Sequence, residues 1–364
     1  MTTWSRSLRL GSDPQARGDE DGAALSNLSR VPAAIAVNDA LAKGARTLLL
    51  DALAAECISA LRANGIRPLL LKGPVTARWL YADGQPREYV DVDILVASSD
   101  SPETTKTLTE LGFRDAQADS STSEIAPHAR TFVLDGPPLG DRLPAGLPLD
   151  LHRGFHGIRV SNEAFWTLAT KETERIQIAG TEVEVPSEPM RTLLVALHAA
   201  TSGPFAVQQL ADLDRALECL PDKTWSAAHD LAVQLDSIPR FVAGLAMRPR
   251  GTDLIDRLRI DFRTDVPSAM YALGIPPVAL GIERLSTTRG FRARIRLVAR
   301  ELIPTPSFMR VWSPLAGRGI LGLSVAYAYR PFWILLKLPV AVRAHGRARR
   351  VAARGRVVDP RSGG

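Results

Sequence analysis

Tyr89-Val90-Asp91-Val92-Asp93-Ile94-Leu95-Val96 decides how this chain folds. Its β-branched content predicts a strand, and strand side chains alternate between faces. Asp91 and Asp93 therefore share one face, while Val90, Val92 and Ile94 take the other. Two ionised carboxylates this close repel, and burying them unpaired is costly. A divalent cation resolves that conflict, and carboxylate oxygens with retained waters are what Mg²⁺ prefers. Asp150 repeats the theme: flanked by Leu149 and Leu151, it presents a third carboxylate from a neighbouring strand. His152, two residues on, shares its face and is a site-lining candidate.

Working back from this strand, Arg87 lies four residues before Asp91. Further upstream, Leu69-Leu70-Leu71 reads as a short buried strand, Lys72-Gly73-Pro74 as a turn, and TARWLYA as a helix that Pro74 opens. Glycine permits close backbone approach and a helix N-terminus favours negative charge, so Lys72, Gly73 and Arg87 form a candidate phosphate cradle. Thr76 is the nearest hydroxyl. Pro74, with no N–H, removes one potential donor.

Outward again, Val37 to Ala63 predicts a long helix capped by Asn38 and ended by Asn64-Gly65. A helix is expected from about Ser101 to Leu111, a strand at Arg130–Leu134 and a hairpin at Ile176–Val185 around Ala179-Gly180. After Pro186 the pattern is almost wholly helical, with helices near 189–202, 204–220, 224–235, 239–247 and 281–302. Strands alternating with helices and then helices alone predict an α/β (α+β) sheet domain followed by a helical one. The expected divisions are a disordered segment over 1–30, a catalytic domain over 35–186, a helical domain over 187–303, an apolar segment over 304–342 and a basic disordered tail over 343–364.

The 364 residues are 45% apolar and 23% charged, which excludes disorder throughout, collagen and a pure coiled coil. Seven arginines against Asp359 give residues 343–364 all of the net charge of +6, so the remainder sums to zero. Such a tail suits weak contact with anionic lipid or nucleic acid and says nothing of the folded body. Cys57 and Cys219 make no disulfide framework and no CxxC motif, which fits a cytoplasmic setting. The N-terminus has no apolar signal-peptide core, and Gly319–Tyr329, bounded by Arg318 and Arg330, is the closest approach to a membrane span. His198, on an apolar helix, reads as a core histidine bonded to Asp212 or Asp214. The apolar stretch beyond Gly319, broken by Arg330, Pro331, Lys337 and Pro339, reads as helices packed on the body, with an interfacial membrane contact as the alternative.

Leu70-Leu71-Lys72-Gly73, Arg87, Asp91-Val92-Asp93-Ile94-Leu95-Val96 and Leu149-Asp150-Leu151-His152 together resemble the uncharacterised bacterial nucleotidyltransferases of the DNA polymerase beta-like superfamily. The likeness extends through Leu197-His198-Ala199-Ala200 and Leu210-Ala211-Asp212-Leu213-Asp214 to Pro306-Ser307-Phe308-Met309-Arg310, about residues 40–335. It implies a nucleotidyltransferase palm with a mixed sheet. Asp91, Asp93 and Asp150 would hold two Mg²⁺ ions, with Mn²⁺ able to substitute, and Asp150 would also help deprotonate the acceptor. Lys72, Gly73, Thr76 and Arg87 would bind ATP or another NTP. The implied reaction moves a nucleoside monophosphate to a hydroxyl or phosphate acceptor (a small molecule, a natural-product intermediate or a protein) and releases pyrophosphate. Two other classes stay open: a non-catalytic nucleotide-binding regulatory module, and a membrane-surface scaffold using the basic C-terminal region.

Overall fold

The Ala- and Leu-rich stretch after Ala33 forms one helix, α1 (Ala33–Ala63), which Asn38 lies within rather than caps. It ends where expected: Gly65 takes φ 73°, and the Gly65 and Ile66 amides bond back to Arg62 and Leu61. The computed structural model describes residues 33–81, 84–116, 128–262, 264–274 and 277–354. From Arg46 onward the chain is one compact unit.

After α1 come β1 (Leu69–Leu70), α2 (Pro74–Leu80, with proline in its first turn), β2 (Val92–Leu95), α3 (Ser101–Glu110), β3 (Phe113–Asp115), β4 (Ala129–Leu134) and β5 (Pro148–His152). The five strands form one mixed sheet in the order β1-β2-β5-β4-β3. Only β2 and β5 are parallel, and their register sets Asp93 directly opposite Asp150 and Leu95 opposite His152.

Alternation along these strands divides two cores. Leu70, Val92, Ile94, Leu149 and Leu151 pack with Leu50, Leu53 and Ile58 of α1 on one side. Leu69, Leu71 and Leu95 turn to the other side and join the helical core. Asp93, Asp150 and His152 alternate onto that second side, so the carboxylates lie where the sheet meets the helices.

Beyond β5 lie α4 (Asn162–Ala169) and a separate hairpin, β6 (Thr173–Ile178) and β7 (Thr181–Pro186). Then come α5 (Glu188–Ser202), α6 (Val207–Cys219), α7 (Asp222–Gln234), α8 (Ile238–Leu245), α9 (Pro249–Arg257) and α10 (Val266–Ala272). Met190, Leu193, Leu194 and Leu197 of α5 pack with Leu69 and Leu95, so the hydrophobic core continues across residue 186, where the element type changes.

The last helices are α11 (Pro277–Thr287), α12 (Phe291–Leu302), α13 (Pro306–Trp312) and α14 (Gly319–Arg354). Here the structure corrects the sequence reading. α14 runs unbroken through Pro331 and Pro339 and past residue 343, so 343–354 are helix rather than disordered tail. Each proline removes one backbone bond, but the Leu- and Ala-rich residues on either side keep helical propensity. The expectations for 1–30 and 355–364 lie outside the described residues.

Candidate active site

Asp93 is the hub of the site. It is 2% exposed, and its Oδ1 takes both Lys72 Nζ at 2.9 Å and His152 Nε2 at 2.8 Å. Burial opposes ionisation of Asp93, yet Lys72 and His152 outweigh it and hold the carboxyl well below the usual carboxylate range. Burial likewise works against the Lys72 ammonium, but Asp93, Asp91 and Asp150 together hold its pKa above the ordinary lysine value. Lys72 also lies over the Phe155 ring, 5.6 Å from its centroid.

Asp150 receives a hydrogen bond from Thr131 Oγ1 at 2.7 Å, because Thr131 stands opposite it across the antiparallel β4–β5 pair. One ligand atom each from Asp93, Asp150 and His152 lies within 4.8 Å of the others. Asp91 precedes β2, and burial together with the Asp93 charge pushes its carboxyl up to about 6. Asp93, Asp150 and His152 thus form one close ligand group, and Asp91 stands near enough to feel the charges of Asp93, Lys72, Asp150 and His152. His152 rises from lining residue to direct partner because the parallel register carries it beside Asp93.

These residues suit a divalent cation. Asp93 and Asp150 meet on one face with an imidazole, and the protein's own cation, Lys72, already occupies that concentration of negative charge. His152 Nδ1, buried, has no hydrogen-bond partner among the described residues. The two carboxylates offer oxygen ligands of the kind a divalent cation takes.

The Lys72-Gly73-Pro74 turn is tight. Gly73 has φ 58°, and a Cβ there would stand 3.2 Å from the Asp91 carbonyl. That conformation and that contact together require glycine. Thr76, on α2, is buried and lines a small cavity with Lys72, Arg87, His198 and Asp212.

Arg87 departs from its expected phosphate-facing role. Its Nε and Nη2 hold Asp212 of α6 at 2.8 and 2.6 Å, and Nη1 donates to the Gly73 carbonyl at 3.2 Å. Asp212 also accepts from Tyr81 and Gln208. Arg87 thus ties the turn to the helical body. On the other side of the turn, Asp51 of α1 accepts from Arg78 at 2.7 Å and from Tyr89 at 2.5 Å. Sequence reasoning missed Asp51 and Thr131: long-range contacts select them, and no local spacing marks them.

His198 sits among these groups, with its pKa lowered to about 3 by burial and the Lys72 charge. Asp212 is committed to Arg87, and Asp214 pairs with Arg248. His156 is lowered to about 4 by burial and Arg240. A base depressed in the folded state stabilises above its unfolded pKa of about 6.5, and that contribution is lost as pH falls toward the folded value. For His198 the loss at pH 5 is on the order of 2 kcal/mol. Thermal unfolding of the wild type should therefore move steeply downward between pH 7 and 5, and His198→Gln should flatten that slope; an unchanged slope would show that His198 is not the buried neutral group inferred here.

A family model described as uncharacterised nucleotidyltransferase matches residues 26–248 of the chain. No curated protein matches it. Among solved structures, the antibiotic-resistance factor ANT(2'')-Ia aligns at 13% identity with a TM-score of 0.37, covering 54% of this chain and 96% of that one. An antigenic nucleotidyltransferase-like protein from Paracoccidioides brasiliensis aligns at 13% identity with a TM-score of 0.32, covering 52% of this chain and 92% of that one. The family match takes in the Lys72-Gly73 turn, Asp91, Asp93, Asp150 and Asp212, and it extends over more than half the sequence: the chain belongs to the uncharacterised nucleotidyltransferase family.

Proposed function

We propose that the chain uses Asp91, Asp93 and Asp150 with Mg²⁺ or Mn²⁺ to move a nucleoside monophosphate from an NTP to a hydroxyl or phosphate acceptor, releasing pyrophosphate. The observation that carries this reading is the opposition of Asp93 and Asp150 across parallel strands, with Lys72 bound between strand and turn. When bound, the metal would supply charge neutralisation for the attacking and leaving oxygens of an in-line displacement.

The chain's own residues divide the remaining work. Asp150, held by Thr131, accepts the acceptor's proton. Lys72 exchanges Asp93 for the phosphate oxygens as the nucleotide enters, since a buried ammonium needs a counter-charge throughout. Gly73 admits close backbone approach, and Thr76 offers its hydroxyl from the first turn of α2. Arg87 and Asp212 hold this turn in place without touching the nucleotide. A cavity of about 260 Å³ lined by His128, Gly154, Phe155, His156 and Asn162 follows directly on the Asp150–His152 strand and is the proposed acceptor entrance.

The test measures NTP binding and transfer of a labelled α-phosphate side by side. Asp150→Asn retains an oxygen for Thr131, so NTP affinity should fall modestly while transfer falls by roughly 10²–10⁴-fold. Lys72→Ala should weaken NTP binding first. Transfer by Asp150→Asn at the wild-type rate would remove the general base from this scheme.

A further inference from the structure

The body covers α14 along one narrow line only, and apolar side chains are exposed over much of its remaining surface. Ala326, Arg330, Ala341 and Ala348 are buried against the rest of the chain. Arg330 fixes this side: its Nε donates to the Glu301 carbonyl at 2.9 Å, and its guanidinium lies over the Phe308 and Trp312 rings. On the opposite side Leu321, Val325, Tyr329, Phe332, Leu336 and Val340 follow one another at spacings of three or four residues and form a single stripe. They are exposed, Leu321 by 83%, Phe332 by 66% and Leu336 by 71%.

The same stripe changes character toward the C-terminus. Arg343, Arg347 and Arg350 continue it at the same spacing, all exposed, and α14 contains no Asp or Glu. α12 repeats the chemistry, with Phe291, Ile295 and Val298 exposed on one face among arginines. By length and composition Gly319–Ala353 is long and apolar enough to cross a membrane, because the helix runs on through the Arg330 and proline breaks. Crossing, however, would carry the Arg330 side into lipid, and that side is bound to the body.

We propose that α14 lies along an anionic bilayer surface, with the Leu321–Val340 stripe among the acyl chains and Arg343, Arg347 and Arg350 on the lipid phosphates. The apolar stripe supplies burial and the arginines supply charge complementarity. A second copy of this chain would carry the same positive charge, so these arginines disfavour it as the occupant.

Flotation of the full chain with phosphatidylcholine vesicles, with and without phosphatidylglycerol, tests this. The chain should float with the anionic vesicles and lose most of that binding in high salt. Phe332→Glu and Leu336→Glu should each lower the partition constant by roughly tenfold or more. Replacing Arg343, Arg347 and Arg350 together by Gln should lower it by roughly a hundredfold on the anionic vesicles. All these side chains are exposed, so an unchanged unfolding midpoint confirms that each variant is folded. Absence of binding to anionic vesicles, or binding indifferent to both sets of substitutions, overturns the proposal. So does an oligomer in light scattering that Phe332→Glu dissolves, or resistance of the bound chain to extraction at alkaline pH, which would mean a spanning helix.

Discussion

Asp93→Asn is expected to abolish transfer, with a loss on the order of 10³-fold or more. Removing even an outer partner of a metal ligand commonly costs about 10–100-fold, and Asp93 is both the proposed ligand and the counter-charge of Lys72. Its carboxylate is the direct partner of both Lys72 and His152. The amide is nearly isosteric and its oxygen still accepts hydrogen bonds, but the charge that holds the Lys72 ammonium is gone. Asp91 and Asp150 then share that task from less direct positions, since both already act on Lys72. Metal-dependent thermal stabilisation in the presence of NTP should disappear together with transfer, because binding to the native state is what raises the midpoint. Circular dichroism and metal titration on the same preparation separate loss of chemistry from loss of fold. A folded Asp93→Asn chain that still transfers within tenfold of wild type would dismiss Asp93 from the site.

The second large effect is on stability. Arg87 and Asp212 form an ion pair whose side chains are only 6% and 5% exposed, and Tyr81 and Gln208 also depend on Asp212. Removing one partner of such a pair leaves the other charge buried and uncompensated, which costs about 3–5 kcal/mol. Asp212→Ala should therefore lower the unfolding midpoint by roughly 10 °C. The paired variant Arg87→Met with Asp212→Leu should recover most of that loss, because two apolar side chains of similar volume replace the ion pair. It should not recover transfer, since the bond from Arg87 to the Gly73 carbonyl is gone. Equal midpoints for Asp212→Ala and wild type would mean that this pair contributes little; full activity in the paired variant would mean that the turn needs no tether.

Residues near one another in sequence determined much of this protein. Alternation in Val92–Leu95 placed Asp93 on the face opposite Val92 and Ile94, which reach α1, whereas Asp91 and the exposed Val90 precede β2 and fall outside that alternation. The glycines at 65 and 73 fixed their turns for the same local reason: positive φ costs other residues more. Pro74 could open α2 because the first turn needs no amide from it.

Tertiary structure decided the partners. The parallel register of β2 and β5 brought His152 beside Asp93 and Asp150, and nothing in the spacing of Asp150 and His152 specifies which strand will lie beside theirs. Arg87 read in sequence as part of a phosphate cradle, yet packing of α6 against the turn gave it Asp212, because a guanidinium buried there needs a carboxylate. Arg330 and the prolines seemed to divide the C-terminal apolar stretch, but burial of Arg330 against Glu301, Phe308 and Trp312 leaves α14 continuous and turns its uncharged side outward. Local periodicity sets which residues share a face; only packing decides what that face meets.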